Sequence, residues 1–439
     1  MRNLILWIFS LTLVPWLAFG QASHWDATMI AAQKAYGQAQ FPEAEGQFLQ
    51  AVKEAELFGP GDPRLATALN NLALVYVREA KYADAEPLLK RALGIVEVNG
   101  HPTAAEKAST LNNLAALYAY QSRYEEAKQA YRQCLDLREK NLGPDHPDVA
   151  TTLNNLGALY WDQGKSAEAE ALITRAMHIK ENTFGPENPE LASSLNNLAV
   201  LYIRQGKYTE GEAFFKRALF IRQKALGPDS PDVANSLNNL AALYSFQGRY
   251  SDAEPAFLRS LAIAEKTLGP KHPDVASGLN NLAELYRTQK RYEEAEPLYK
   301  RALSIREEAL GPDHPDVADS LDHLAGLMVL KSKEVNVDLL YKRALEIRKK
   351  VYGPESPPVV ATLNNMGVAY AQEGRLSEAE RAFSDILAIL DKQPKIDSPT
   401  LSTVYTNLSN LYLRQGMRKK ARKMASKAKA VREQEASPS

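Results

Sequence analysis

Apolar and polar positions along this 439-residue chain follow a helical rhythm broken at fixed intervals. In residues 147–188, Leu153, Leu156, Gly157 and Tyr160 stand at i, i+3, i+4 and i+7, which puts them on one face of a first helix. Gln163-Gly164-Lys165 predicts a turn. A second helix then carries Ala169, Ile173 and Ala176 on one stripe and ends at Phe184-Gly185-Pro186. Glycine closes a helix in the left-handed conformation and proline cannot continue one. The next start is marked by Asn188, which can cap the helix, by Pro189 in its first turn, and by Glu190 near the positive end of its dipole. Pro147, Pro231, Pro273, Pro315 and Pro357 recur in the same place.

The pattern repeats every 42 residues. Its marker, Asn-Asn-Leu, begins at Asn70, Asn112, Asn154, Asn196, Asn238 and Asn280, and continues as Asp322-His323-Leu324, Asn364-Asn365-Met366 and Thr406-Asn407-Leu408. Nine repeats thus follow one another in register over residues 63–432. Small residues (Ala85, Ala127, Ala169, Gly211, Ala253, Ala295, Ala379, Ala421) recur in the second helix, where a larger side chain would force the paired helices apart. Tyr76, Tyr118, Tyr160, Tyr202, Tyr244, Tyr286, Tyr370 and Tyr412 form the matching large series of the first helix.

Leu-x-x-Leu-Gly-x-x-Tyr followed by Ala-x-x-x-Ile and a further Ala, over residues 153–176, resembles the tetratricopeptide repeat. The length, the Leu-Asn-Asn-Leu-Ala core and the Leu-Gly-Pro-Asp-His-Pro connector are similar to the variant of kinesin light chains and many bacterial repeat proteins. The resemblance implies an all-α fold, a right-handed α-solenoid of tandem helix-turn-helix units whose first helices line a concave groove. It also implies a protein-protein interaction scaffold, with no enzymatic activity, that binds a peptide segment of a partner. A structural spacer or envelope assembly factor acting through its ends or convex face is the alternative.

Departures mark the ends. Residues 23–62 read as a degenerate capping repeat: Phe41, Ala44, Glu45 and Ala51 match a second helix, but the Asn-Asn-Leu marker is missing. Terminal repeats lack one neighbour and need a more polar outer face. The basic helix from Arg418 reads as the opposite cap, and residues 433–439 as a disordered tail. In repeat 7, Met328, Ser332 and Val337 replace the usual Tyr, Gly and Ala, which predicts looser packing or a bend. Residues 1–22 differ from all that follows. Arg2, the 16-residue apolar run from Leu4 to Phe19, and Gly20-Gln21-Ala22 read as a cleaved signal peptide, shorter than the roughly 20 residues of a membrane span. An exported, periplasmic or secreted bacterial protein is expected, in contact with a membrane only if that segment is retained as an anchor.

The 53 basic and 53 acidic residues cancel, so no overall field draws in nucleic acid. Repeats, cap and leader use up the chain and leave no catalytic domain. We expect no catalytic residues, cofactor, metal or small-molecule substrate. His146, His272 and His314 fall where Asn188, Ser230 and Ser356 do, so helix capping accounts for them. Cys134 stands where other repeats have Ala92, Ala176 or Ala218 and reads as a small buried residue.

For the groove, the resemblance implies that one Asn of each marker projects inward: Asn71, Asn113, Asn155, Asn197, Asn239, Asn281, Asn365 and Asn407. A carboxamide offers both donors and an acceptor to a peptide backbone. Bonding between adjacent helices is the competing use of such amides. Tyr120, Trp161 and Phe246, with Arg78, Arg204, Arg287 and Arg414, are the candidate anchors, because aromatics and Arg dominate interfaces. The first-turn residues Thr67, Ser109, Thr151, Ser193, Asn235, Ser277, Asp319, Ala361 and Thr403 include no base, which argues against a clamp for a terminal carboxylate.

Overall fold

The computed structural model describes residues 24–98, 104–331, 336–392 and 398–436. Its described residues form twenty helices, paired as ten hairpins. The cap is α1 (His24–Gly37) with α2 (Phe41–Glu56). Repeats 1 to 3 are α3 (Pro63–Arg78) with α4 (Tyr82–Val98), α5 (Ala104–Tyr120) with α6 (Tyr124–Leu142), and α7 (Pro147–Asp162) with α8 (Ser166–Phe184). Repeats 4 to 6 are α9 (Leu191–Arg204) with α10 (Tyr208–Leu226), α11 (Pro231–Phe246) with α12 (Tyr250–Leu268), and α13 (Pro273–Thr288) with α14 (Tyr292–Leu310). Repeats 7 to 9 are α15 (Pro315–Lys331) with α16 (Asp338–Tyr352), α17 (Pro357–Glu373) with α18 (Leu376–Asp391), and α19 (Ser398–Arg414) with α20 (Arg418–Ala436). The all-α tandem-hairpin fold is the one the periodicity predicts.

The chain divides into two compact bodies, one reaching Leu285 and including Glu308–Leu310, the other holding Tyr286–Glu307 and everything from Gly311. Within each, a hairpin packs on the next through its small and large series. Ala85, Ala127, Ala169, Ala253, Ala295 and Ala379 have no exposed surface, and neither do Ile173, Phe215 and Tyr299, each one turn further along its second helix than the small-series position. In two repeats the first helix has no room even for alanine: a Cβ on Gly157 would lie 2.6 Å from Ile173, and one on Gly367 would lie 2.7 Å from Phe383.

The predicted caps are present with two exceptions. The Nδ1 atoms of His146, His272 and His314 accept from the backbone N–H of Asp148, Asp274 and Asp316, each at 3.1 Å. Ser230 accepts from the N–H of Val233. Asn188 accepts from the N–H of Glu190, but α9 starts only at Leu191 with Glu190 as its uncapped N-cap, so Asn188 and Pro189 lie in the turn before it. Ser356 does not cap: its hydroxyl donates instead to the carbonyl of Gly353 at 2.8 Å, which turns it away from the helix it precedes. Between the helices of a hairpin, Gly164 holds φ +76, and Ala80, Ser122 and Lys290 adopt the same left-handed geometry at the equivalent place in their repeats.

The cap hairpin is well packed. Trp25, Met29, Phe41 and Phe48 are buried, and the Trp25 indole donates to the carbonyl of Ala51 at 3.0 Å. Repeat 7 departs as its sequence does, since α16 begins at Asp338, four residues later than the register sets for the other second helices. Met328 is half-buried and Val337 fully buried; Ser332 lies outside the described residues, as do residues 1–22 with the proposed signal and residues 437–439. The expectation of a disordered tail from 433 is corrected as far as Ala436, because α20 continues through Glu433–Ala436.

Candidate peptide-binding face

Recurrent side-chain bonds set the geometry of the first-helix face. A buried cation near the end of a second helix reaches the first helix of the next repeat: Arg138 donates to the Asp148 carbonyl and to Thr152, and Arg306 to the Asp316 carbonyl and to Ser320, all within 2.9 Å. Arg222 does the same with the Asp232 carbonyl and Ser236. Sequence reasoning missed this staple, although its 42-residue recurrence at 138, 180, 222, 306 and 348 was there to be read. Outside, Arg175–Glu139, Arg217–Glu181 and Arg343–Glu307 join successive second helices at 2.5–2.7 Å.

The asparagine pairs form a second recurrent device. Asn113 donates to Asn70 at 3.3 Å, Asn155 to Asn112 at 3.0 Å, Asn281 to Asn238 at 2.9 Å and Asn407 to Asn364 at 2.9 Å. Each bond joins the second Asn of one repeat to the first Asn of the repeat before it. These rungs correct the expectation for Asn71, Asn113 and Asn155, which are at most 2% exposed. At Asn113 and Asn155 the amide is spent on the neighbouring helix, the competing use noted above. Asn197, Asn239, Asn281 and Asn407 are half-buried and Asn365 is exposed.

Repeat 7 modifies the device. Asp322 replaces the first Asn and accepts from Asn365 at 3.4 Å and from the buried Arg348 at 2.5 Å; Arg348 also bonds Thr362 and Asp319. Burial raises the Asp322 carboxyl above its ordinary value even though Arg348 opposes the shift. At Asp319 burial acts in the same direction, but Arg348, Arg306 and His323 outweigh it and the carboxyl is held low. The acidic substitutions thus anchor Arg348 inside the repeat.

The candidate anchors fall into small groups. The Arg204 guanidinium lies 5.9 Å from the Trp161 ring centroid, both half-buried, and Phe246, 44% exposed, packs against Tyr208 at 5.5 Å. Tyr120 stacks on Tyr82 at 6.2 Å. Arg78 is exposed beside Phe41, and Arg414 donates to the Ala371 carbonyl. Arg287, half-buried, belongs to the other compact body from Arg204 and Trp161. The face therefore brings together Trp161 with Arg204 and Phe246 with Tyr208, but makes no single cluster of the predicted residues.

Among the described residues no three His, Cys, Asp or Glu side chains come together as metal ligands, and no helix is long and apolar enough to cross a membrane. Cys134 is fully buried, its thiol donating to the Ala108 carbonyl at 3.1 Å, and burial raises its pKa. A recess of about 490 Å³ that sequence reasoning did not foresee lies between α16 and α18 over Leu363 and Met366. Ala382 lines it, at a position where repeats 2 and 5 also have alanine and repeats 1, 3, 6 and 7 have leucine. Its rim mixes Lys342, Lys349 and Arg381 with Glu355, Glu378 and Asp385, so it favours no ligand charge.

The family model described as tetratricopeptide repeat matches residues 28–97, 106–182, 190–266, 246–308, 274–333, 340–392 and 359–434. The chain belongs to the tetratricopeptide repeat family. No curated protein matches its sequence. Among solved structures, it is similar to BtubC (BKLC) of P. vanneervenii, with 25% identity over 56% of this chain and 93% of that one and a TM-score of 0.43. A putative kinesin light chain of Podosopora anserina with nearly identical TPR-like repeats is 24% identical over 47% and 98%, with a TM-score of 0.39. The apo form of the quorum sensor NprR from B. thuringiensis is 14% identical over 83% and 97%, with a TM-score of 0.50, a likeness of fold alone.

Proposed function

We propose that this tetratricopeptide array is a non-catalytic scaffold that holds a peptide segment of a partner protein along its first helices. The observation that carries the reading is the pair of half-buried carboxamides Asn197 and Asn239, on the same first helices as Arg204, which lies over Trp161, and as Phe246. Polar amides and partly exposed aromatics on one face are surplus to the helix packing, and together they match a polypeptide's main chain and side chains. We further propose that the protein is exported, on the strength of residues 1–22.

The test is selection of peptides from a random 12-residue library with the full chain, followed by affinity measurement. Trp161→Ala and Phe246→Ala should weaken the selected peptides, whereas Phe220→Ala, 56% exposed on the second helix α10, should not. The reverse pattern, or a library that yields nothing, would reject the groove. One observation favours action through an end instead. Arg418, Lys419, Lys420, Arg422, Lys423, Lys427, Lys429 and Arg432 are all exposed on α20, and neutralising them would abolish a function that resides there.

A further inference from the structure

Two asparagine–asparagine rungs of the ladder are open, and they are adjacent; a third buried side-chain carbonyl, that of Asn280, also accepts no hydrogen bond, and there the next repeat has His323 in place of the donor asparagine. The side-chain carbonyls of Asn154 and Asn196 are buried without a hydrogen-bond partner, although Asn197 and Asn239 stand where the donors of other rungs stand. Neither Asn197 nor Asn239 makes a side-chain hydrogen bond among the described residues.

A cause can be traced for the first. In repeats 3, 5 and 7 the hydroxyl at the sixth residue of the first helix receives the stapling arginine, as at Thr152, Ser236 and Ser320. Between repeats 3 and 4 the staple is Lys180, whose ammonium goes instead to Ser193 at 3.1 Å. Ser194 is left to Asn154, which donates to it at 2.8 Å and turns out of line with Asn197. The structure shows no comparable diversion at Asn196, whose carbonyl is simply not met by Asn239.

We propose that Asn197 and Asn239 are the main-chain contacts of the bound polypeptide, and that the asparagines engaged in rungs at 113, 155, 281, 365 and 407 are structural. This inference rests on the groove reading and narrows it to one stretch of α9 and α11. An amide already donating to a neighbouring repeat gains little by exchanging that bond for one to a ligand. Asn197 and Asn239 have no such bond to give up. The occupant this chemistry fits is an extended, uncharged stretch of polypeptide. A primary amide can donate to a peptide carbonyl and accept from a peptide N–H at once, and it discriminates against neither sign of charge. With neighbouring helices about 10 Å apart and an extended chain rising about 3.3 Å per residue, the two amides address main-chain groups about three residues apart. Trp161 with Arg204 and Phe246 with Tyr208 flank this stretch and would meet the intervening side chains.

The experiment uses the full chain and synthetic versions of the library-selected peptides, with affinity read by fluorescence anisotropy. Asn197→Leu and Asn239→Leu should each weaken binding about fivefold or more, the worth of one hydrogen bond. Methylating single main-chain nitrogens of the peptide should reproduce that loss at positions about three residues apart. Asn281→Leu and Asn407→Leu, which break rungs, should lower the melting temperature with affinity changed less than about twofold. Circular dichroism on the two test variants guards against misfolding. If Asn197→Leu and Asn239→Leu leave affinity intact while Trp161→Ala lowers it, this inference fails and the groove reading survives. If none of these substitutions matters, both fail.

Discussion

Removing the charge of Arg348 isolates a carboxylate that repeat 7 has placed where other repeats have a neutral amide. Arg348→Met keeps the length of the side chain but strips Asp322, whose side chain is 5% exposed, of its counter-ion at 2.5 Å. Breaking a buried pair from one side costs about 3–5 kcal/mol. Protonation sets a ceiling on the ionic part: neutralising a carboxyl of ordinary pKa 3.8 costs about 4 kcal/mol at pH 7 and about 1.6 kcal/mol at pH 5, at about 1.36 kcal/mol per unit. The variant should therefore be about 3–4 kcal/mol less stable than the parent at pH 7 and recover about half of that difference by pH 5. Arg348→Met with Asp322→Asn, which restores the usual Asn, should return to within about 1 kcal/mol of the parent. All four tryptophans precede residue 162, so fluorescence would report the wrong region. Urea titration read by hydrogen exchange of peptides from α15 to α17 follows the right one. A single variant that loses less than about 1 kcal/mol at both pH values, or a double variant no better than the single, would refute the reasoning.

Other expectations are simpler to check. In the parent, the raised Asp322 carboxyl is bound by its proton more tightly in the folded chain than in the unfolded one. Its contribution is thus complete below the ordinary value of 3.8 and is lost as pH rises through the raised value, so Asp322→Asn should flatten the stability profile of repeat 7 over that range. Gly157→Ala should cost about 1–3 kcal/mol by driving a methyl into Ile173, and Ile173→Val in the same chain should recover part of it, as thermal melts will show. Lys290→Gly should stabilise by about 1 kcal/mol by relieving a left-handed residue at φ +61. Cys134 should resist a thiol reagent in the native protein and react at once in denaturant; rapid native labelling would contradict its burial.

The hairpins were legible because each repeat restates its helix starts, stops and apolar stripes. Pro147 and Gly185 punctuate the same helices that the structure forms, and Ala169 and Tyr160 fall where the packing needs a small and a large residue. The face was legible only in outline. Asn-Asn-Leu is written identically at 112–114 and at 154–156, yet Asn112 completes a rung with the next repeat and Asn154 does not. Whether an amide is consumed depends on the rotamer of a residue one repeat away, and the trace of it in the sequence is a single Lys180 in a series of arginines. The roles of Asp319 and Asp322 were hidden for a similar reason, since their partner Arg348 lies in the second helix and reads there as a solvated charge.

The central claim is that the first helices of the middle repeats, rather than the ends or the outer helices, receive a polypeptide. Hydrogen-exchange mass spectrometry of the full chain with and without a selected peptide addresses it directly. Slower exchange confined to α9 and α11, with α10, α12 and α20 unchanged, is the predicted result. Slower exchange in α20 or the outer helices, with α9 and α11 unaltered, would contradict it.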